Sequence, residues 1–217
     1  MQQKKDERLV TLLGTRSQAN PWMEHTGWDH HLFGFEKAQL KDSLYPIEAP
    51  KEGLSATETA LQKACQATVK VLYQAMQVCH PSIVPWNALL FVNRRECGAG
   101  NNEKPFYSKH RQDTLRKYCT IWVKLLRYLW HSQQWEERPS YVLTTHQSKL
   151  FASMQDKAGL STANLTSKEA REQKEKLYWA VGSFWGSMLA HTLSDNEFES
   201  GLVSGIAVLG LDTSTGG

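Results

Sequence analysis

Apolar residues recur every three or four positions along three long stretches of the chain, and this spacing predicts three long helices. The first helix should begin at Ser55-Ala-Thr-Glu58, a capping box in which the serine hydroxyl caps a helical N–H and the glutamate reaches back. Its apolar stripe consists of Leu61, Cys65, Val69, Leu72, Met76 and Cys79. The second helix should span residues 108–131, and the third should begin at Thr166 or Ser167.

Shorter segments complete the set of predicted helices. Asn20-Pro21 is a favourable start for a helix that Gly27 interrupts, and further helices are predicted over residues 36–44 and 82–92. Residues 202–211 are apolar and rich in small side chains, so they should form either a short buried helix or a strand. No segment sustains a period of two, and we therefore predict an all-α fold, an irregular bundle of about 5 to 7 helices.

The same patterning predicts one domain with less regular ends. Residues 1–19 are expected to be a flexible tail, and residues 20–211 the helical domain. Within that domain, residues 132–166 are weakly patterned, which indicates a mobile internal linker with a short helix near 150–154. Residues 212–217 are expected to be either a frayed end or the point at which a longer chain is truncated.

Composition excludes several classes of protein. The 217 residues include eight Trp, seven Tyr and seven Phe, which is enough bulk for a packed core. No apolar run exceeds five residues, so a membrane-spanning helix and a secretory signal are not expected. The four cysteines are widely spaced and form no C-x-x-C, which favours free thiols in an intracellular, reducing compartment.

The common catalytic and cofactor motifs are missing from the sequence. It contains no Walker A motif, no G-x-G-x-x-G, no G-x-S-x-G and no H-E-x-x-H. His25, Asp29 and the His30-His31 pair are better explained as solvated or capping residues than as metal ligands. We therefore predict a non-enzymatic protein with no metal, no cofactor and no small-molecule substrate.

Positive charge is concentrated between Arg94 and Arg127. This stretch holds nine Lys or Arg residues against three acids, a local charge of +6, although the whole chain carries only +3. Rows of Lys and Arg on a helix can neutralise phosphates, so this region is a candidate nucleic-acid-binding site. The candidate residues are Arg94, Arg95, Lys109, Arg111, Arg116, Lys117, Lys124 and Arg127.

A helical wheel of residues 108–131 separates these basic positions from an apolar arc, which predicts one cationic face and one core face. The apolar arc consists of Leu115, Tyr118, Cys119, Trp122, Leu125, Leu126 and Leu129. Four nearby aromatic residues are candidates to stack on unpaired bases, namely Phe106, Tyr107, Tyr128 and Trp130. The alternative interpretation is the ordinary one, a charged solvent face on an amphipathic helix whose aromatic neighbours belong to the core.

Three stretches of the sequence resemble one group of large fungal proteins. They are PWMEHTGWDHHLFG at residues 21–34, FVNRRECGAGNNEKPFYSKHRQDTLRKYCTIWVKLLRYLWHS at 91–132, and GLVSGIAVLGLDTSTGG at 201–217. The group includes protein D of the orsellinic acid biosynthesis cluster and long proteins similar to telomere-associated RecQ-type helicases. The resemblance covers residues 20–211 in patches.

The resemblance implies a helical, non-catalytic middle segment between a finger-like part and a helicase-like part of a longer protein, and it favours truncation. Together with the basic face, it predicts a nuclear module that binds DNA or RNA. One alternative is a protein-interaction or scaffolding segment that packs residues 202–211 against the missing remainder of the chain. Another is the helical half of a tyrosine recombinase, although the Arg…His-x-x-Arg…Tyr set is not recognisable here.

Overall fold

The computed structural model describes residues 21–46, 53–78, 112–137, 139–161, 163–194 and 199–213. These residues form seven α-helices and one 3₁₀ helix and contain no β-strand. In chain order the elements are α1 (Pro21–Thr26), the 3₁₀ helix (Trp28–Leu32), α2 (Lys37–Asp42), α3 (Ala56–Val78), α4 (Gln112–Ser132), α5 (Thr145–Gly159), α6 (Ser167–Ser194) and α7 (Gly201–Thr213). The prediction of an all-α fold is confirmed.

Some predicted segments lie outside the described residues. They are the tail 1–19, the helix 82–92 and the last residues of the chain, 214–217. The predicted interruption at Gly27 is confirmed, because this glycine has a φ of +73° between α1 and the 3₁₀ helix. That left-handed conformation costs glycine little, since it has no Cβ to clash with the backbone.

The long helices pack around one core. Helix α3 contacts α4, α5 and α6, and α5 also packs along α6. Helix α7 lies against α4 and α6 on one side and against α2 and the 3₁₀ helix on the other. Because both groups of helices share α4 and α6, their buried side chains form a single apolar cluster.

Aromatic rings connect α4, α5 and α6 through the centre of this core. Trp130 on α4 meets Phe151 on α5 with ring centroids 5.6 Å apart, and Phe151 meets Phe184 on α6 at 5.3 Å. Trp185, next to Phe184, packs against Trp122 of α4 in a T-shaped arrangement, with ring centroids 4.6 Å apart. Aromatic pairs in tilted or edge-to-face arrangements contribute about 0.5–1.5 kcal/mol each beyond their buried area.

Helix α7 approaches α4 closely because its contact face carries small residues. A Cβ added to Gly205 would lie 2.6 Å from Leu125 Cδ2, so no larger residue fits there without a shift. Beside this contact, the hydroxyl groups of Ser204 and Tyr128 share a hydrogen bond of 2.7 Å. For residues 202–211 the sequence predicted either a short buried helix or a strand, and the structure shows a buried helix.

The predicted linker over residues 132–166 is wrong in its central part. Residues 145–159 form the four-turn helix α5, which is three times as long as the short helix expected there. Phe151, Met154 and Ala158 of this helix are buried in the core. Polar Ser, Thr and Gln residues dominate the sequence of this region because only one narrow side of α5 faces inward.

The predicted apolar stripe of α3 is confirmed at Leu61, is only partly buried at Val69 and Leu72, and lies outside the described residues at Cys79. After Leu61, the buried residues of α3 are the small side chains Ala64, Ala67 and Thr68, while Cys65 is only partly buried. Trp185 of α6 donates its indole N–H to Thr68 Oγ1 at 3.3 Å. Small residues therefore form the contact face of α3, because the aromatic side chains of α6 fill the space opposite them.

Helix α5 begins with a capping box. The Thr144 hydroxyl accepts a hydrogen bond from the Gln147 N–H at 3.2 Å, and the Gln147 side chain accepts one from the Thr144 N–H at 2.9 Å. We expect Thr144→Ala to lower the free energy of unfolding by about 1 kcal/mol, measured by urea denaturation. Thr145→Ala is the matched control, because Thr145 is the exposed first residue of the helix. An equal loss in both variants would contradict the capping role.

Candidate nucleic-acid interface

Four of the eight residues predicted to bind nucleic acid fall within the described part of the chain, and all four belong to α4. Arg116 and Lys117 are exposed on the first turns of this helix, as predicted. The guanidinium of Arg116 lies 4.0 Å from the Asp113 carboxylate, and the Arg116 side chain remains 71% exposed. The other four candidates lie outside the described residues, namely Arg94, Arg95, Lys109 and Arg111.

Lys124 lies on the same side of α4 as Lys117 but is half-buried. Its ammonium donates a hydrogen bond of 2.8 Å to the hydroxyl of Tyr45, a residue that follows α2. The same ammonium lies 4.2 Å from the centre of the Tyr45 ring. The hydrogen bond and the cation–π contact fix the position of this charge on the surface. Lys124 therefore contributes a cation that is held in place, whereas the cations of Arg116 and Lys117 lie on largely exposed side chains.

Arg127 does not belong to the exposed basic face, and its assignment as a nucleic-acid-binding residue is wrong. Its side chain is 1% exposed and points into the bundle, toward the first turn of α3. The wheel placed it with the surface cations because the wheel treats every turn of a helix alike. In the structure, every residue from Leu125 to Trp130 is buried, since other helices surround the second half of α4.

Arg127 instead belongs to a buried polar cluster with Glu58 and His131. Its Nη1 donates to Glu58 Oε1 at 2.7 Å, and its Nη2 donates to His131 Nε2 at 3.2 Å. Arginine can only donate, so His131 must be neutral and accept at Nε2. Burial, and then the charge of Arg127, lower the pKa of His131, although the Glu58 carboxylate 3.8 Å away opposes them.

The same cluster corrects the predicted capping box of α3. Ser55 Oγ accepts a hydrogen bond from the Glu58 N–H at 3.1 Å, as predicted. The Glu58 carboxylate does not complete the box, because it turns inward to Arg127. Beside it, burial raises the pKa of the Cys65 thiol to about 12, so this cysteine is a neutral thiol at physiological pH.

Two of the four aromatic residues nominated for base stacking are in the core. Tyr128 and Trp130 are both buried, so neither ring can meet a base. Phe106 and Tyr107 lie outside the described residues. The candidacy of Tyr128 and Trp130 is therefore wrong, for the same reason as that of Arg127.

Two apolar residues of α4, Tyr118 and Ile121, are exposed. The sequence predicted a core position for Tyr118 and assigned Ile121 to neither face. Tyr118 was assigned to the apolar arc but is 46% exposed, and Ile121, one turn later, is 42% exposed. The first three turns of α4 are open to solvent over a wide arc, which leaves Tyr118 and Ile121 exposed on the same turns as Arg116 and Lys117. We call this surface the α4 strip, and its members are Arg116, Lys117, Tyr118, Ile121 and Lys124.

Helix α6 carries a second exposed face of a different kind. Trp179 is 79% exposed, and no charged residue occurs between Leu177 and Ala190. The other exposed positions of this stretch are Ser183, Gly186, Leu189 and Ala190, and Leu189 is 41% exposed. Most exposed helix faces carry charges, so this one is unusual for a solvent face.

Two of the histidines considered as metal ligands contact hydrogen-bonding groups of the protein through Nδ1. Nδ1 of His30 lies 2.6 Å from the Gly27 carbonyl oxygen, and Nδ1 of buried His31 lies 2.6 Å from Ser140 Oγ. Across the part of the chain that the structure describes, no three His, Cys, Asp or Glu side chains are placed to hold a metal ion. Cys65 and Cys119 are free thiols, as predicted.

None of the described helices is both long enough and apolar enough to cross a lipid bilayer. No protein-family model, no curated protein and no solved structure matches this chain.

Proposed function

We propose that this chain is a non-catalytic helical module that binds DNA or RNA through the α4 strip. The module belongs to a larger helicase-like protein of the fungal group that it resembles, and it acts in the nucleus. The observation that carries the proposal is the charge of the exposed part of α4. Arg116, Lys117 and Lys124 lie along it, and Asp113 is the only acid in the whole helix.

The geometry of the strip suits contacts with phosphates. Lys117 and Lys124 are seven residues apart, which places them on one side of the helix about 10 Å apart along its axis. The ion pair between Arg116 and Asp113 is exposed at both ends, and such pairs contribute about 0–1 kcal/mol. A phosphate can therefore compete for Arg116 at little cost.

The alternative of a scaffolding segment loses its original basis. It depended on residues 202–211 being exposed for a missing part of the chain, whereas Leu202, Val203, Ala207, Val208 and Leu211 are buried within this bundle. The uncharged face around Trp179 is the surface on which a protein-interaction function would now depend. That face has no charge pattern that selects a partner, whereas the α4 strip selects phosphates, and we therefore favour nucleic acid.

The test is a double charge reversal, Arg116→Glu with Lys117→Glu. We expect the wild-type chain to bind labelled DNA with a Kd of about 10⁻⁴ to 10⁻⁶ M, and the variant to bind at least 10-fold more weakly. Fluorescence anisotropy between about 50 and 200 mM salt should show the slope of log K against log salt falling by about two in the variant.

The matched control is Lys149→Glu with Lys168→Glu, which changes the net charge equally. Both lysines are exposed and lie on α5 and α6, away from the strip. We expect this control to retain most of the affinity, because its lysines do not meet the bound phosphates. Equal losses in the two double variants would show a general charge effect and would overturn the proposal, as would wild-type binding that does not depend on salt.

A further inference from the structure

We infer that the α4 strip binds single-stranded rather than duplex nucleic acid. This inference rests on the proposed function and specifies its ligand. It is carried by Tyr118 and Ile121, the two exposed apolar side chains that lie among the cations of the strip.

The apolar residues are neighbours of the cations on the helix surface. Ile121 is four residues after Lys117 and three before Lys124, so it lies between these two lysines along the surface of the helix. Tyr118 is three residues before Ile121 and extends the apolar surface to one side. The strip is therefore an apolar centre with cations at both ends, not a continuous row of charge.

A duplex would use such a surface poorly. Its outer surface presents phosphates and sugars, and its bases are stacked on each other and paired. Covering Tyr118 and Ile121 with phosphates would remove apolar surface from water without giving it an apolar partner. A single strand can turn a base onto the tyrosine ring while its phosphates meet Lys117 and Lys124.

Tyr45 adds a second ring at the far end of the strip. It is 43% exposed, and its ring lies beside Lys124, which bonds to its hydroxyl. The order along the surface is thus tyrosine, isoleucine, lysine, tyrosine. Aromatic rings combined with cations are the arrangement that sequence-independent single-strand binders use, because every base has a face that can stack.

The test compares a short labelled oligothymidine with a duplex of the same length by fluorescence anisotropy. We expect the wild-type chain to prefer the single strand by at least 10-fold. Tyr118→Ala should weaken single-strand binding by about 5- to 150-fold and duplex binding by less than 2-fold. Tyr118→Phe, which retains the ring, should bind as the wild type does.

Tyr73→Ala is the matched control, since Tyr73 is an exposed tyrosine on α3, outside the strip. It should leave both affinities unchanged. Equal affinity for the two ligands, or equal losses on both in Tyr118→Ala, would overturn this inference while the charge-reversal result still supports the proposed function. Absence of salt-dependent binding to either ligand would instead overturn the proposed function, and this inference with it.

Discussion

Replacing Arg127 with methionine is expected to lower the free energy of unfolding by about 3–5 kcal/mol. Methionine retains much of the apolar stem but leaves the buried Glu58 carboxylate without the guanidinium that bonds to it at 2.7 Å. It also removes the donor to His131 Nε2. The measurement is urea denaturation followed by circular dichroism, with the dependence on urea concentration compared between variant and wild type.

Two further variants separate the buried charge from simple loss of volume. Glu58→Met with Arg127→Met removes both charges, so no uncompensated ion remains, and we expect the double variant to recover at least 2 kcal/mol of the loss. Arg116→Met, at an exposed position of the same helix, should change stability by less than about 0.5 kcal/mol. If Arg127→Met changed the free energy of unfolding as little as Arg116→Met, the buried ion pair with Glu58 would not stabilise the fold as proposed.

Helices α3 and α6 were predictable, because each has a capping sequence at its start and a long helical pattern after it. At α6, Thr166 caps the Glu169 N–H at 3.3 Å, and the Glu169 carboxylate accepts from the Thr166 N–H at 2.8 Å. This box is complete because the Glu169 side chain is in solvent and has no stronger partner. At α3 the same sequence pattern forms only one of the two hydrogen bonds, from the Glu58 N–H to Ser55 Oγ. The second is missing because the Glu58 carboxylate accepts from the buried Arg127 instead. Local sequence therefore fixes where a helix starts but not where a charged side chain turns.

The misassigned residues of α4 have a common physical cause. Periodicity tells which side of a helix is apolar, but not how deeply each turn lies in the bundle. The first turns of α4 are near the surface, so Tyr118 is exposed, and its later turns are surrounded, so Arg127 is buried. The sequence did carry a signal, because Arg127 is the only charged residue in the apolar run from Leu125 to Trp130.

Helix α5 was missed although its start was readable. Thr144-Thr-His-Gln147 has the spacing of a capping box, and the structure shows both of its hydrogen bonds. The apolar residues Phe151, Met154 and Ala158 follow at helical spacing, but they are too few to dominate a polar segment. Three buried side chains hold this helix because α3 and α6 both pack against it.

Acid is expected to destabilise the fold through His31, which is fully buried in the 3₁₀ helix. Burial, and then the charge of the neighbouring His30, lower the pKa of His31 from 6.5 to about 3. The unfolded chain therefore takes up a proton that the folded chain refuses, and stability falls as the pH drops from about 6.5 toward 3. Well below pH 6.5 one such proton costs about 1.4 kcal/mol per pH unit. Between pH 6.5 and pH 4.5 the loss is roughly 2 kcal/mol, because the unfolded imidazole is already half-protonated at pH 6.5.

The variant His31→Gln tests this because glutamine can still bond to Ser140 Oγ but does not titrate in this range. We expect the free energy of unfolding of the variant, measured with urea, to fall less steeply as the pH drops. The difference in slope from the wild type should correspond to one proton, whether or not the variant is less stable at neutral pH. His131 gives a smaller loss of the same sign in both proteins, since burial also lowers its pKa. His146→Gln, an exposed position on α5, is the control and should keep the wild-type slope. Equal slopes in wild type and His31→Gln would mean that His31 is not held neutral by the fold.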